Sequence, residues 1–243
     1  MKIFFWVPFF LTLVIAQDNS LFFSEYAEGS SHNKYLEIYN GTSSTINLDN
    51  YAFPSASNDV TTPGVYEYWN SFTSGATIAS GDVYIIAHPQ ADASILDSAD
   101  QTHQYLSNGN DGYAIVMGNE SSYSVIDWIG NWDANPGDGW DVAGVTNGTM
   151  DHTLVRKSTV TMGNTDWSAS AGTTTDNSEW IILDQDTWTY LGSHPHPELE
   201  TNNPVISITS PTDGATLYSS DVTVSFTVSN FTVAASGGDG HIH

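Results

Sequence analysis

Tyr35-Leu36-Glu37-Ile38-Tyr39, closed by Asn40-Gly41, decides the fold class. A short aromatic and aliphatic run that stops at Asn-Gly reads as a strand ending in a tight turn, because Asn and Gly tolerate the positive φ such turns require. The same pattern recurs on both sides. Residues 21–26 and 45–48 flank it, and further runs follow at residues 83–87, 112–117, 124–128, 152–156, 180–183 and 188–190. Ser80-Gly81-Asp82 and Asp111-Gly112 supply turn chemistry between them. Short strands separated by Gly, Asn, Asp, Ser and Pro predict an all-β antiparallel sandwich of immunoglobulin-like type. Only residues 91–107 leave room for a short helix.

Composition bounds what such a fold can do. The chain has 243 residues, 40% of them hydrophobic and 12% aromatic, which is enough to fill a core. It has no cysteine, so disulfides, Cys-ligated zinc, iron–sulfur clusters and a thiol nucleophile are excluded. Four Lys and Arg stand against 28 Asp and Glu, for a formal net charge of −24. Binding along a phosphate backbone draws on Lys and Arg that release counterions, so nucleic acid is not an expected partner of this acidic segment, and neither is an anionic membrane.

The N-terminus reads as a targeting segment. Met1-Lys2, an apolar run at residues 3–16 and then Gln17-Asp18 describe a secretory signal peptide, with cleavage expected after Ala16. The run is too short for a membrane span and contains Pro8. Export without cysteine suggests a bacterial envelope or extracellular setting, secreted or at the cell surface. Residues 17–192 then form the sandwich domain, and residues 193–203, polar and carrying X-Pro steps, read as a linker. Residues 204–243 open a second, incomplete immunoglobulin-like β module. Its clearest strand signal is the alternation at residues 221–228, with Val222, Val224, Phe226 and Val228 on one face.

The order of motifs over residues 21–192 resembles the lamin-tail domain of secreted bacterial proteins. The resemblance is carried by Leu21-Phe22-Phe23-Ser24-Glu25-Tyr26, Asn33-Lys34-Tyr35-Leu36-Glu37-Ile38-Tyr39-Asn40 and Ile46-Asn47-Leu48-Asp49-Asn50-Tyr51. Gly81-Asp82-Val83-Tyr84-Ile85-Ile86-Ala87-His88, Val125-Ile126-Asp127-Trp128-Ile129-Gly130, His152-Thr153-Leu154-Val155-Arg156-Lys157, Asp166-Trp167-Ser168 and Trp188-Thr189-Tyr190-Leu191-Gly192 continue it. It implies an immunoglobulin-like sandwich without catalytic residues of its own, attached in bacteria to exported nucleases, phosphatases and adhesin-like chains.

Several residues invite chemical readings. Glu25, Glu37 and Arg156 lie within apolar strands, and buried charges need partners, so a structural Glu–Arg cluster tying strands together is expected, with a catalytic carboxylate pair as the alternative. Trp132, Trp140 and Trp69 are candidates for a sugar-binding platform, while Trp128, Trp167, Trp180 and Trp188 read as core. In the loop of residues 131–141, Asp133, Asn135, Asp138 and Asp141 offer oxygen donors at the short spacing that suits calcium, although the EF-hand pattern fails; the competing reading is a solvated turn whose side chains hold the backbone. His194 with His196, and His241 with His243, alternate as two imidazoles on one side of an extended chain would. There is no Gly-x-Ser-x-Gly, P-loop, His-Glu-x-x-His or dinucleotide fingerprint.

Three functions compete on these grounds. The first is a noncatalytic accessory or adhesion-type module at the front of an exported multidomain protein, partnered by the other domains of the same longer chain and by glycan or protein at the cell surface. The second is a carbohydrate-binding module that uses the loop tryptophans and calcium. The third is a metal-dependent hydrolase whose catalytic part lies outside this chain.

Overall fold

A computed structural model describes residues 21–58, 60–200, 205–212, 214–216, 218–219 and 221–229. The expected signal peptide, His241 and His243 lie outside the described residues.

Among the described residues the chain forms fourteen strands: β1 (Leu21–Glu28), β2 (Lys34–Asn40), β3 (Ile46–Asn47), β4 (Tyr51–Ala52), β5 (Ser55–Ala56), β6 (Thr77–Ile78), β7 (Val83–Ala87), β8 (Gln101–Thr102), β9 (Gly112–Asn119), β10 (Ser122–Ile129), β11 (His152–Arg156), β12 (Trp180–Asp184), β13 (Val205–Ser210) and β14 (Ser225–Ser229). Three short α-helices, α1 (Ala93–Leu96), α2 (Trp167–Ala171) and α3 (Pro197–Glu200), and a 3-10 turn at Leu48–Asn50 interrupt them. The larger sheet runs β12-β11-β1-β2-β7-β8, antiparallel except for the parallel β7–β8 pair. The smaller runs β10-β9-β4, with β5 also pairing β9. Their facing surfaces share one apolar core, in which Leu21, Phe23, Tyr26, Leu36 and Ile38 meet Tyr113, Ile115, Ile126 and Ile129. The fold is therefore an all-β, immunoglobulin-like sandwich, as the strand pattern predicts.

Two bulges decide which side chains face that core. Strict alternation along β1 would put Leu21, Phe23 and Glu25 on one face. The register shifts between Phe23 and Glu25, so Tyr26 takes the core position and Glu25 comes directly opposite Glu37 on β2. A matching shift between Val125 and Asp127 in β10 keeps Ile126 and Ile129 in the core. The bulges meet across the layers, where the Phe23 backbone N–H donates to Asp127 Oδ2 at 2.8 Å.

Some expected elements differ. Residues 188–190 are not a strand: after β12 the chain turns at Asp186, which has φ 62°, and Trp188 packs over the outer face of the larger sheet against Ala27, Tyr35, Ala87 and Ile95. Its indole N–H donates to Ser94 Oγ at 3.0 Å on the α1 turn. The stretch read as a linker packs too. Leu191 joins that outer cluster and His194 is buried against Phe22 and Tyr39, because the outer face of β1 and β2 is apolar and needs a cover. α2 begins at Asp166, whose side chain accepts from Ala169 N as an N-cap. Beyond α3, β13 and β14 pair antiparallel and leave Ile208, Val222, Val224 and Phe226 exposed.

Candidate binding cleft and buried charge sites

A concavity of about 700 Å³ opens at the end of the sandwich where β2 and β9 begin and β7 ends. That size lies in the range of small-molecule sites, roughly 300–1,000 Å³. Its wall is assembled from segments distant in sequence: His32 and Lys34, Ser57 and Asn58, Tyr68 and Asn70, His88, and the loop from His103 to Asp111.

Each segment is pinned by backbone pairing or by a buried partner. Ser55 and Tyr68 exchange backbone hydrogen bonds at 2.9 and 3.0 Å, which fixes Tyr68 at the rim. Asn70 Nδ2 donates to Phe53 O and Ser55 Oγ, so its Oδ1 is the end left toward solvent. The His103 backbone N–H donates to Ala87 O, the buried Tyr113 hydroxyl donates to Tyr105 O at 3.1 Å, and Ser107 Oγ accepts from Gly109 N and Asp111 N. Thr149 Oγ1 ties the loop from behind through Gly109 O at 2.6 Å. Tyr105 and Tyr68 are thus presented on fixed backbone while remaining 76% and 57% exposed. Exposed aromatics on a braced loop lose little entropy on binding.

The electrostatics of the cleft are close to neutral. Lys34 is buried, and its Nζ is committed to Glu28 Oε1 at 2.7 Å, Asn108 Oδ1 at 2.7 Å and Ser107 O at 2.9 Å. His32 and His88 stack with ring centroids 4.4 Å apart. Burial lowers the pKa of His88, and the neighbouring His32 and Lys34 push it further the same way; burial likewise lowers His103. Both imidazoles are therefore neutral at pH 7. Among the described lining residues Asp111 supplies the carboxylate, with Oδ1 accepting from Asn58 N at 3.2 Å.

A second site is closed to solvent. Glu25 and Glu37, 1% and 0% exposed, face each other across β1 and β2 on the outer side of the sheet. Tyr35 donates its hydroxyl to Glu25 Oε1, while Glu25 Oε2 has no protein partner. Glu37 accepts from Ser24 Oγ at 2.7 Å and from Gly192 N at 2.6 Å. Burial raises Glu25 well above the usual carboxylate range, and the adjacent Glu37 adds to it. Burial raises Glu37 to about 7, against the opposing pull of Ser24, Gly192 and His196. Arg156 does not join them, which corrects the expected Glu25–Glu37–Arg156 cluster. It points between the layers, where the β10 bulge has brought Asp127 within 3.2 Å, and it reaches Glu179 at 2.7 Å. Its guanidinium also lies 4.4 Å from the Trp180 ring centroid. Burial pushes the Asp127 pKa up and Arg156 pulls against it. Asp127 was not singled out in the sequence, because a residue shifted by a bulge breaks the alternation that would flag it.

The tryptophan and calcium candidates are dispersed. Trp132 is 2% exposed and donates to Gly112 O, so it has no face to offer a sugar. It contacts Tyr66 edge-on, and Trp69 meets the same ring at a tilt, in a cluster on the outer side of the smaller sheet. Trp140 packs instead against the main core, its indole lying over Gly130, where φ is +68° and a Cβ would collide with the ring. In the acidic loop, Asn135 Oδ1 accepts from Gly137 N and Asp141 Oδ1 accepts from Asn147 N, as turn side chains do; Asp133 and Asp138 are exposed. Among the described residues no group of three His, Cys, Asp or Glu has the geometry to hold a metal ion. His194 and His196 stand with ring centroids 6.5 Å apart, and His196 bonds to Glu198 and Tyr190 O. No described helix is long and apolar enough to cross a membrane.

None of the cleft residues was marked as a site residue in the sequence. They come from five separated segments, and only His103-Gln104-Tyr105, aromatic residues and an amide in a polar stretch, carried a local signal. A comparison with curated proteins finds no relative. Strands β11 and β12, which complete the larger sheet, lie beyond the matched segment, but the whole cleft lies inside it: residues 15–131 match the family model described as Lamin Tail Domain, a noncatalytic immunoglobulin-like sandwich.

Proposed function

We propose that this sandwich is a noncatalytic accessory module of an exported multidomain protein and that it recognises its ligand in the cleft at residues 31–111. The observation that carries the reading is the cleft itself: about 700 Å³, walled by braced segments, with Tyr68 and Tyr105 exposed at its rim. The buried carboxylate pair and the buried ion pair lie outside the cleft. Glu25 and Glu37 are sealed under the 188–196 segment, and Asp127 is locked to Arg156. The signal-like residues 1–16 support export, and the family match supports a module without its own catalysis.

The test uses the full chain at pH 7. It should turn over no phosphodiester, phosphomonoester or glycoside substrate with magnesium, calcium, manganese or zinc added. Backbone amide shifts of residues 57–58, 68–70 and 103–111 should move when ligand arrays are titrated in. Turnover at a rate that survives repurification would overturn the noncatalytic reading, and ligands that shift only resonances outside these segments would overturn the cleft.

A further inference from the structure

We propose that the cleft binds a neutral oligosaccharide, with Tyr68 and Tyr105 as stacking faces and an arc of amide side chains as the hydroxyl readers. This deepens the reading of the cleft as a recognition surface and rests on it.

The charge pattern removes the other ligand classes first. An anionic ligand approaches a chain with a net charge of −24, and the single lysine of the cleft already serves Glu28, Asn108 and Ser107 O. His88 and His103 stay uncharged at neutral pH, so they add no anion-binding capacity. A purely apolar ligand fits no better, because the wall mixes Ser57, Asn58, Asn70, Gln104 and Asn108 with the aromatic rings. A neutral ligand that is polar on its edges and apolar on its faces satisfies both halves of that surface.

A sugar ring has this duality. Its axial C–H groups form an apolar face that packs on an aromatic ring, and its equatorial hydroxyls each donate and accept in the ring plane. Tyr105 is the more exposed of the two wall tyrosines, and it stands edge-on to His103, with centroids 6.1 Å apart, which stands edge-on to the core residue Phe53 at 5.5 Å. Its ring is braced from behind while its outer face is open. Tyr68 is held by the Ser55 bridge on another wall segment. The polar groups have capacity to spare: Asn70 uses its Nδ2 inward and keeps Oδ1, Asn108 uses its Oδ1 on Lys34 and keeps Nδ2, and Asp111 Oδ2 remains beside the Oδ1 that holds Asn58 N. An acceptor, a donor and a carboxylate, each fixed by its committed half, are what bidentate hydroxyl pairs require. The loop of residues 131–141 contributes no metal to this arrangement, and its tryptophans face elsewhere.

The experiment titrates the full chain at pH 7 with trimers of N-acetylglucosamine, glucose (β-1,4 and β-1,3 linked) and mannose, with a galacturonic acid trimer and a random tetrapeptide mixture alongside. Calorimetry gives affinity and amide shifts give location. At least one neutral trimer should bind with shifts at residues 68–70 and 103–111. Tyr105→Ala and Tyr68→Ala should each weaken it at least tenfold, Tyr105→Phe should stay within about threefold, and Met162→Ala, an exposed residue outside the cleft, should change nothing. Both tyrosines are solvent-exposed, so unchanged melting of the variants keeps a loss of binding from being a loss of folding. If only the tetrapeptides or the acidic trimer move the cleft resonances, the saccharide proposal falls and the cleft reading stands. If no probe moves them, the proposal falls, and the cleft reading falls with it once the wider arrays are also silent.

Discussion

Replacing Glu37 with Gln isolates what it means to bury a carboxyl opposite another carboxyl. In the folded protein Glu37 Oε1 accepts from Ser24 Oγ and the other oxygen accepts from Gly192 N. A Gln keeps its oxygen toward Gly192 N–H and turns its amide toward Ser24, whose hydroxyl oxygen then accepts, so both contacts are kept. Burial raises the Glu37 pKa from 4.5 to about 7, so the folded state holds a proton that the unfolded chain gives up in that interval. The contribution is fully present below pH 4.5 and is lost as pH rises through about 7. At about 1.36 kcal/mol per pH unit, the loss across the interval is about 3 kcal/mol. Glu25, also raised, acts in the same direction. Unfolding free energy by urea, followed by tryptophan fluorescence, should therefore be close for wild type and Glu37→Gln at pH 4.5. By pH 8 the variant should be more stable by about 3 kcal/mol, or roughly 6–12 °C in melting temperature. Taking the difference between the two proteins cancels the background from Asp100 and Asp111, which burial also raises, and from His88 and His103. Parallel curves from pH 4.5 to 8, or a variant less stable at pH 8, would refute the account.

Arg156→Met strips Asp127 of its cation and should cost about 3–5 kcal/mol at pH 7, with Asp127→Asn in the same chain recovering part of it; a single variant as stable as wild type in urea would remove the ion pair as the cause. Gly130→Ala should cost about 1–3 kcal/mol, since it combines a left-handed backbone with a collision against Trp140, and calorimetric melting reads it. Millimolar calcium should leave the melting temperature within 1 °C, because the Asn135 and Asp141 oxygens already serve backbone N–H groups; a rise that disappears in Asp133→Asn would reverse that assignment.

Much of the sandwich was legible because apolar runs and turn residues report directly on burial and chain reversal. The runs at residues 21–26, 35–39, 83–87, 112–117, 124–128, 152–156 and 180–183 all became strands, and the helical turn α1 falls inside residues 91–107. What was not legible depends on single-residue shifts and on distance in sequence. The β1 bulge moves Glu25 from the core face to the outer face, which alternation alone assigns the other way. Trp188 looks like a strand residue by type, yet after β12 its stretch finds no strand pairing and it becomes a plug. Arg156 was visible as a buried cation, but its partner was not, since the same local pattern fits any carboxylate that a neighbouring layer delivers. The tryptophans stand out by composition and fill space, whereas the cleft is composed of ordinary residues made neighbours by topology.

The Lys34 ammonium gives the molecule a hidden hinge pin. Through Glu28, whose second oxygen accepts from Asp151 N at 2.7 Å, it ties the floor of the cleft to the entry of β11, a strand absent from the described cleft wall. The rim residues Tyr68, Asn58 and Gln104 have no part in that tie. Side chains on the lip of the cleft can thus be exchanged while the latch beneath goes on setting how the two sheets of the sandwich are held.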